Sequence, residues 1–256
     1  MRNQLPTITP ARFTPQTYRT TARIVGGLYL AGMVVGISGL ALIQSLMAAP
    51  DHLAAVAANS MLLATGVVLW LLTVVGDAAH GVLMFPVLKR HSERAAIGYL
   101  AARIADAIFI AVMALVILVQ VPVAAEYLKA GSSDTSYLQA LSEVFTHTQL
   151  YAYEFGMTAV GVAGLILCST FYRSGLVPRL LAVWGLVGYA TLLFGSVAQI
   201  LGFNLNSFHV IPGGLWEVFI GVWLIVKGFS SVPALVEPSA VTTDSAKTLV
   251  SAGSTS

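Results

Sequence analysis

Six stretches of the chain, at residues 24–47, 60–85, 96–121, 149–172, 178–203 and 210–229, are predominantly apolar over at least 20 residues. That is the length a helix needs to cross a hydrocarbon core about 30 Å thick. Inside a bilayer no water satisfies backbone N–H and C=O groups, so a spanning segment closes its hydrogen bonds within itself. None of the stretches shows the roughly ten-residue alternation of a membrane strand. The expected fold is therefore an all-α membrane protein, a bundle of six transmembrane helices. Charged residues make up only 9% of the 256, where a soluble domain carries roughly a quarter. Lipid is thus the expected solvent for most of the surface, and the bilayer the expected partner. A net charge of +2 with no basic patch or stripe gives nucleic acid no footprint. The lone Cys168, inside an apolar run, excludes an intrachain disulfide and a cysteine metal cluster. It reads as a small packed residue.

The first apolar stretch is longer than the core of a signal peptide and follows 23 residues, so it reads as a retained span. Residues 1–20 carry Pro6, Pro10 and Pro15, and residues 231–256 are rich in Ser, Thr and Ala. Both are expected to be flexible tails around one six-helix domain at 21–230. One long connection is expected, at 122–148: Pro122 ends or kinks the third helix, and Asp134 or Ser136 caps a helix running from Tyr137 into the fourth span. Leu138, Leu141, Val144 and Phe145 lie at helical spacing there, which predicts a piece lying against the outer membrane surface.

Lys and Arg set the orientation. Arg2, Arg12, Arg19, Arg23, Lys89, Arg90, Arg94, Arg173, Arg179, Lys227 and Lys247 fall on one side, and Lys129 alone on the other. Eleven against one places the N-terminus in the cytoplasm, and an even number of spans returns the C-terminus there. The expected location is the inner or plasma membrane.

Ionisable residues inside spans are costly and normally face a partner or a cavity. The spans hold Asp77, His80, Arg103, Asp106, Glu154 and Glu217. Depth follows from counting residues to the basic end of each helix at about 1.5 Å each. Asp77 and His80 lie about 18 and 14 Å from Lys89; Arg103 and Asp106 lie about 14 and 18 Å from Arg94; Glu217 lies about 15 Å from Lys227. Five groups from three helices thus share one layer, and Glu154, about 28 Å from Arg173, is placed outside it at the outer interface. Asp77 and His80 are spaced i, i+3, as are Arg103 and Asp106, so each pair shares a helix face. Asp77 is the expected partner of Arg103; Thr73 and Tyr99 extend the two polar stripes. Glu217 either joins Arg103 or sits protonated in an apolar setting. Three carboxylates face one arginine and one histidine, a surplus that suits uptake of a proton or of a cationic group.

Two further patterns complete the reading. Gly32, Gly36 and Gly39 line one side of the first span, and Gly214, Gly221 and Gly228 recur every seven residues on the sixth. Such stripes allow close helix packing or leave a groove. His52, His147 and His209, with Asp51, Glu154, Asn204 and Asn206, fall near the outer ends of spans without metal-ligand spacing. Tyr151, Tyr153, Trp184, Trp216 and Trp223 are amphipathic aromatics, several of which suit a place as interface anchors. Phosphate loops, dinucleotide fingerprints and a nucleophile elbow are absent, so no catalytic residue, metal set or cofactor is assigned.

Three blocks carry a resemblance to a known family. They are Thr21-Ala22-Arg23-Ile24-Val25-Gly26-Gly27-Leu28-Tyr29, the turn Tyr172-Arg173-Ser174-Gly175-Leu176-Val177-Pro178-Arg179, and Ile211-Pro212-Gly213-Gly214-Leu215-Trp216-Glu217 continuing to Trp223-Leu224-Ile225-Val226-Lys227-Gly228. The chain resembles, over about residues 20–229, the bacterial membrane proteins grouped as the domain-of-unknown-function 4386 family. The resemblance implies a multi-pass bacterial membrane protein and transfers neither activity nor substrate. It puts Glu217 and Arg173 in blocks typical of the group; His80 and Asp106 fall outside them. The leading expectation is a protein that binds or moves a small molecule or proton through Asp77, His80, Arg103, Asp106 and Glu217. Its rivals are a structural or sensory component whose charges only order the helices, and an intramembrane enzyme or redox protein using histidines. Oligomeric state is not readable from the chain.

Overall fold

The computed structural model describes residues 15–130, 135–206 and 208–230, and within them the chain is helical with no strand. Helix α1 runs over Pro15–Met47, α2 over His52–Ala58, α3 over Ser60–Lys89, α4 over Glu93–Ala130, α5 over Ser136–Ser174, α6 over Arg179–Ile200 and α7 over Ile211–Val226. A single 3-10 turn, Phe208–Val210, leads into α7. Six helices, all but α2, are long and apolar enough to cross a membrane. Large apolar side chains such as Val34, Val75, Leu115, Val162, Val187 and Phe219 stand exposed on them, which is tolerable only where the outer solvent is lipid. The expected tails fall mainly on residues 1–14 and 231–256, outside the described part. Helix α1 already begins at Pro15, a first-turn position where the missing amide is not needed.

Each span packs on its neighbours in the chain, and α7 returns to α1. The six spans therefore close into a ring. Its seams are tight where glycines meet. A Cβ on Gly221 would lie 3.2 Å from the Gly26 carbonyl oxygen, and one on Gly66 3.0 Å from that of Gly39. Small residues at these crossings let the α1–α7 and α1–α3 backbones come together, which is how helices gain contact in lipid.

Two apolar cores fill the ring at different heights. The near core, on the side where α1, α4 and α6 begin, gathers Val25, Met84, Tyr99, Leu167, Phe171, Trp216 and Leu224. The far core gathers Ile43, Leu53, Leu63, Ile110, Ile117 and Leu138. The polar layer lies between them.

In the 122–148 region the helix expected from Tyr137 into the fourth span is present as α5, and the departure is confined to α4, which runs on past Pro122. Helix α4 continues through Pro122 to Ala130, and α5 starts at Ser136 with Thr135 as its N-cap. Asp134 lies outside the described residues. At about 57 Å each, α4 and α5 far exceed a 30 Å hydrocarbon core. The piece expected on the membrane surface is instead the first turns of α5, packed on α4: Leu138 is buried, while Leu141 and Val144 are exposed. A proline that cannot donate a hydrogen bond does not stop a helix whose packing persists on both sides of it, as it does here at Ile117, Val123 and Ala124. Short α2 was not foreseen; the Asp51 carboxylate caps it, accepting from Ala54 N at 3.0 Å.

Candidate functional site

The five charged residues of the expected layer, Asp77, His80, Arg103, Asp106 and Glu217, line one cavity of about 190 Å3 in the middle of the ring. All six spans contribute to its wall. On α3 and α4 the i, i+3 spacing turns both pairs inward, and the short link between these helices brings the faces together. Arg103 pairs with Asp77 and lies 3.5 Å from Asp106 Oδ2 through Nη1. The surroundings are graded: Asp106 is 1% exposed in its side chain and Asp77 28%. His80 is buried, its Nδ1 2.5 Å from the Tyr99 hydroxyl and its ring edge-on to Tyr29 at 4.5 Å.

Of its two expected routes, Glu217 does not take the first, a bond to Arg103. It accepts a hydrogen bond from the Tyr189 hydroxyl at 2.9 Å, and among the described residues neither an ion pair nor a hydrogen bond links it to Arg103. The layer is thus two half-layers, Asp77–Arg103–Asp106 on α3 and α4, and Tyr189–Glu217 on α6 and α7. They face each other across the cavity, with Tyr29 of α1 at its edge. Several buried polar atoms here have no hydrogen-bond partner among the described residues: Nε2 of His80, Nε of Arg103, both Asp106 oxygens and Nε1 of Trp70. Burying such groups unpaired costs about 1–3 kcal/mol each, more when charged. The cavity is polar, and large enough to hold water or a small ligand that would satisfy them.

The glycine stripes divide between two roles. Gly39 and Gly221 pack against other helices, whereas a Cβ on Gly32, Gly76 or Gly214 would meet no heavy atom within 4 Å. All three line the cavity, so on these faces the missing side chains leave open volume.

Tyr29 and Tyr189 were missed in the sequence because only charged residues were measured for depth. Tyr189 is ten residues from Arg179, about 15 Å, level with Glu217. The same ruler would have found it. Trp216, one of the aromatics from which interface anchors were expected, is 0% exposed, donates from Nε1 to the Leu181 carbonyl at 2.6 Å and packs its ring against both Tyr29 and Tyr189. A neighbour's carbonyl on α6 satisfied its N–H, so it had no need of the interface.

Glu154 also corrects the depth scale. It is buried, 3.5 Å from His209 Nε2, rather than at the outer interface. Gly156 lies against Asp106 and Ile110, and Gly98 against Ile166. This register puts Arg173 about level with His91 rather than Arg94, which lowers Glu154 to roughly one turn above Asp106. The other outer histidines go separate ways. His52 Nε2 lies 2.7 Å from Ser142 Oγ, which in turn donates to Gln120 Oε1 at 2.8 Å; His147 is exposed. Among the described residues no group of three His, Cys, Asp or Glu is placed to hold a metal ion. Cys168 is buried and free.

A ring of six apolar helices around a charged, glycine-walled cavity defines a multi-pass α-helical membrane protein. The chain belongs to the family described as Domain of unknown function (DUF4386), whose model matches residues 24–228. No curated protein and no solved structure matches it.

Proposed function

We propose that the central cavity is a binding site for a proton or a small cationic group, and that the protein binds or moves such a ligand within the membrane. One observation carries the reading. Three carboxylates line the cavity with one guanidinium, and the carboxylate on α7 is not bonded to it. A bundle interior holding surplus negative charge is stable only if a proton or cation offsets it. Asp77 and Glu217 are the ionic contacts, Tyr29 and Tyr189 offer ring faces for a cation, and Gly32, Gly76 and Gly214 make room. Reconstituted into liposomes, the wild type should take up protons or small alkylammonium ions. Glu217→Gln and Asp77→Asn, if they fold normally, should lose the uptake. Unchanged uptake in both variants, or none in the wild type, would defeat the reading.

A purely structural layer is the second reading, favoured by the contacts of Arg103 with both Asp77 and Asp106. A joint, however, would bond the two half-layers to each other, and a cavity separates them. For topology we infer from the basic residues that both termini are cytoplasmic in a plasma or inner membrane. Single cysteines introduced at Ser92 and Lys129 in a Cys168→Ser background should then react with impermeant maleimide from opposite sides.

A further inference from the structure

A second cavity, of about 640 Å3, opens on the near side between the start of α4 and the end of α5. It is unrelated to the charged layer. Arg94 and Arg173, both exposed, line it from the two helices. No Asp or Glu does, and neither arginine forms an ion pair among the described residues. Glu93, the acid adjacent in sequence, is turned away to Lys89 Nζ at 2.9 Å. The neighbouring arginines are used differently: Arg90 lies over the Tyr18 ring at 4.7 Å and Arg179 over Tyr172 at 5.9 Å.

We propose that this pocket holds the phosphate of an anionic membrane lipid, with an acyl chain running along the α4–α5 groove above it. Four features point the same way. Two guanidinium groups converge on one cavity, and arginine is suited to phosphate by its fork of donors. Hydroxyls surround them: Ser92 Oγ already accepts from Ala95 N and so keeps its proton to donate, and Ser169 stands on the same α5 face as Arg173. The first turn of α4 adds its positive pole, while Arg173 offsets the negative pole of the last turn of α5. Thr170 and Ser174 add further hydroxyls, and Ala95, Leu165 and Ile166 form an apolar side of the wall, beyond which the apolar side chains of Ile97 and Val162 stand exposed on the same two helices. A soluble anion has no use for that apolar extension; a lipid does. Depth agrees as well. Arg94 is about 14 Å along α4 from Arg103, which is headgroup level if the charged layer lies near the middle of a 30 Å core. His91, also on the rim, has its pKa pushed down by partial burial and by Arg90 beside it, so at neutral pH it adds hydrogen bonding rather than charge.

The test is native mass spectrometry and thermal unfolding of the full chain in phosphatidylcholine nanodiscs, with and without phosphatidylglycerol. The wild type should retain phosphatidylglycerol preferentially and unfold at higher temperature with it. At about 1 kcal/mol for each basic residue near an anionic headgroup, Arg94→Gln with Arg173→Gln should weaken retention on the order of thirtyfold. Lys129→Gln, on the far side and paired with Glu126, should not alter it. Equal retention of the two lipids by the wild type overturns the proposal, as does a double variant that keeps the preference. Protection by inorganic phosphate alone, equal to that by lipid, overturns the lipid assignment. Should the double variant unfold in phosphatidylcholine, Arg94→Lys with Arg173→Lys replaces it, and retention weakened severalfold by loss of the bidentate fork is the supporting result; unchanged retention counts against the proposal.

Discussion

Alanine scanning of the glycines tests the cavity directly, because the positions differ mainly in what a new methyl would meet. At Gly32 and Gly214 it meets no heavy atom within 4 Å. At Gly26 it would lie 2.9 Å from Ile225 Cγ1 and 3.1 Å from Leu224 Cβ, and at Gly39 2.8 Å from the Gly66 carbonyl oxygen. Replacing glycine by alanine inside a helix is favourable by about 0.5–1 kcal/mol, and overpacking costs about 1–3 kcal/mol. Gly32→Ala and Gly214→Ala should thus be neutral or stabilising by up to about 1 kcal/mol. Gly26→Ala and Gly39→Ala should lose roughly 1–2 kcal/mol after the propensity gain is credited. A gap of about 1–3 kcal/mol separates the two classes, or about 2–12 °C in Tm at roughly 2–4 °C per kcal/mol for a chain this long. Thermal unfolding in detergent, followed by tryptophan fluorescence, resolves that difference. If Gly32→Ala or Gly214→Ala destabilises as much as Gly26→Ala, those faces are packed and the central cavity does not exist as described.

Three more outcomes follow from the same contacts. Arg103→Met leaves Asp77 and Asp106 without their cation and should cost about 3–5 kcal/mol; Asp77→Asn in that background should recover part of the loss in the same melts, and no recovery would refute the pairing. Tyr189→Phe removes the donor to Glu217 and should cost about 1–3 kcal/mol while leaving the Gly32 and Gly214 variants additive with it; a neutral result would mean the bond is not formed. Because the His91 pKa is held below its ordinary value in the folded protein, the unfolded chain binds its proton first as pH falls. Its contribution is therefore full above about pH 6.5, declines as pH drops through the folded pKa, and is small because the ring is largely exposed. An NMR titration of this histidine with a midpoint at or above 6.5 would contradict the direction.

What the sequence disclosed and what it withheld divide along physical lines. Span number and helical type were legible because lipid leaves the backbone one economical solution, and α1 and α3–α7 fall where the apolar stretches lie. The Arg103–Asp77 contact was legible because i, i+3 spacing and a short link between α3 and α4 leave those faces little choice. Depth was legible on α3, α4 and α7, where each basic residue marks a comparable level. It failed on α5, since Arg173 sits farther out than Arg94, level with His91, by the register that Gly156 and Gly98 impose, and that register depends on partners distant in sequence. The Tyr189–Glu217 bond and the buried place of Trp216 were hidden for the same reason. Each depends on how α6 and α7 rotate about their axes, and helices polar at so few positions carry little periodic signal to fix that rotation.

The layer also explains why the two apolar cores are separate. On the far side the core is built from α1 to α5, without α6 or α7; on the near side all six spans meet around Trp216, Phe171 and Leu224. All six spans thus close on one another in the near half, and α6 and α7 take no part in the far core. Tyr189 and Glu217 ride on that pair, while Arg103 and its two aspartates are held on α3 and α4, which are packed into both cores. A ligand that bonds Glu217 to the opposite half-layer would draw α6 and α7 toward α3 and α4. Removal of the Glu217 charge should abolish that attraction without touching either core, which is why Glu217→Gln, rather than any change at Arg103, separates a site from a joint.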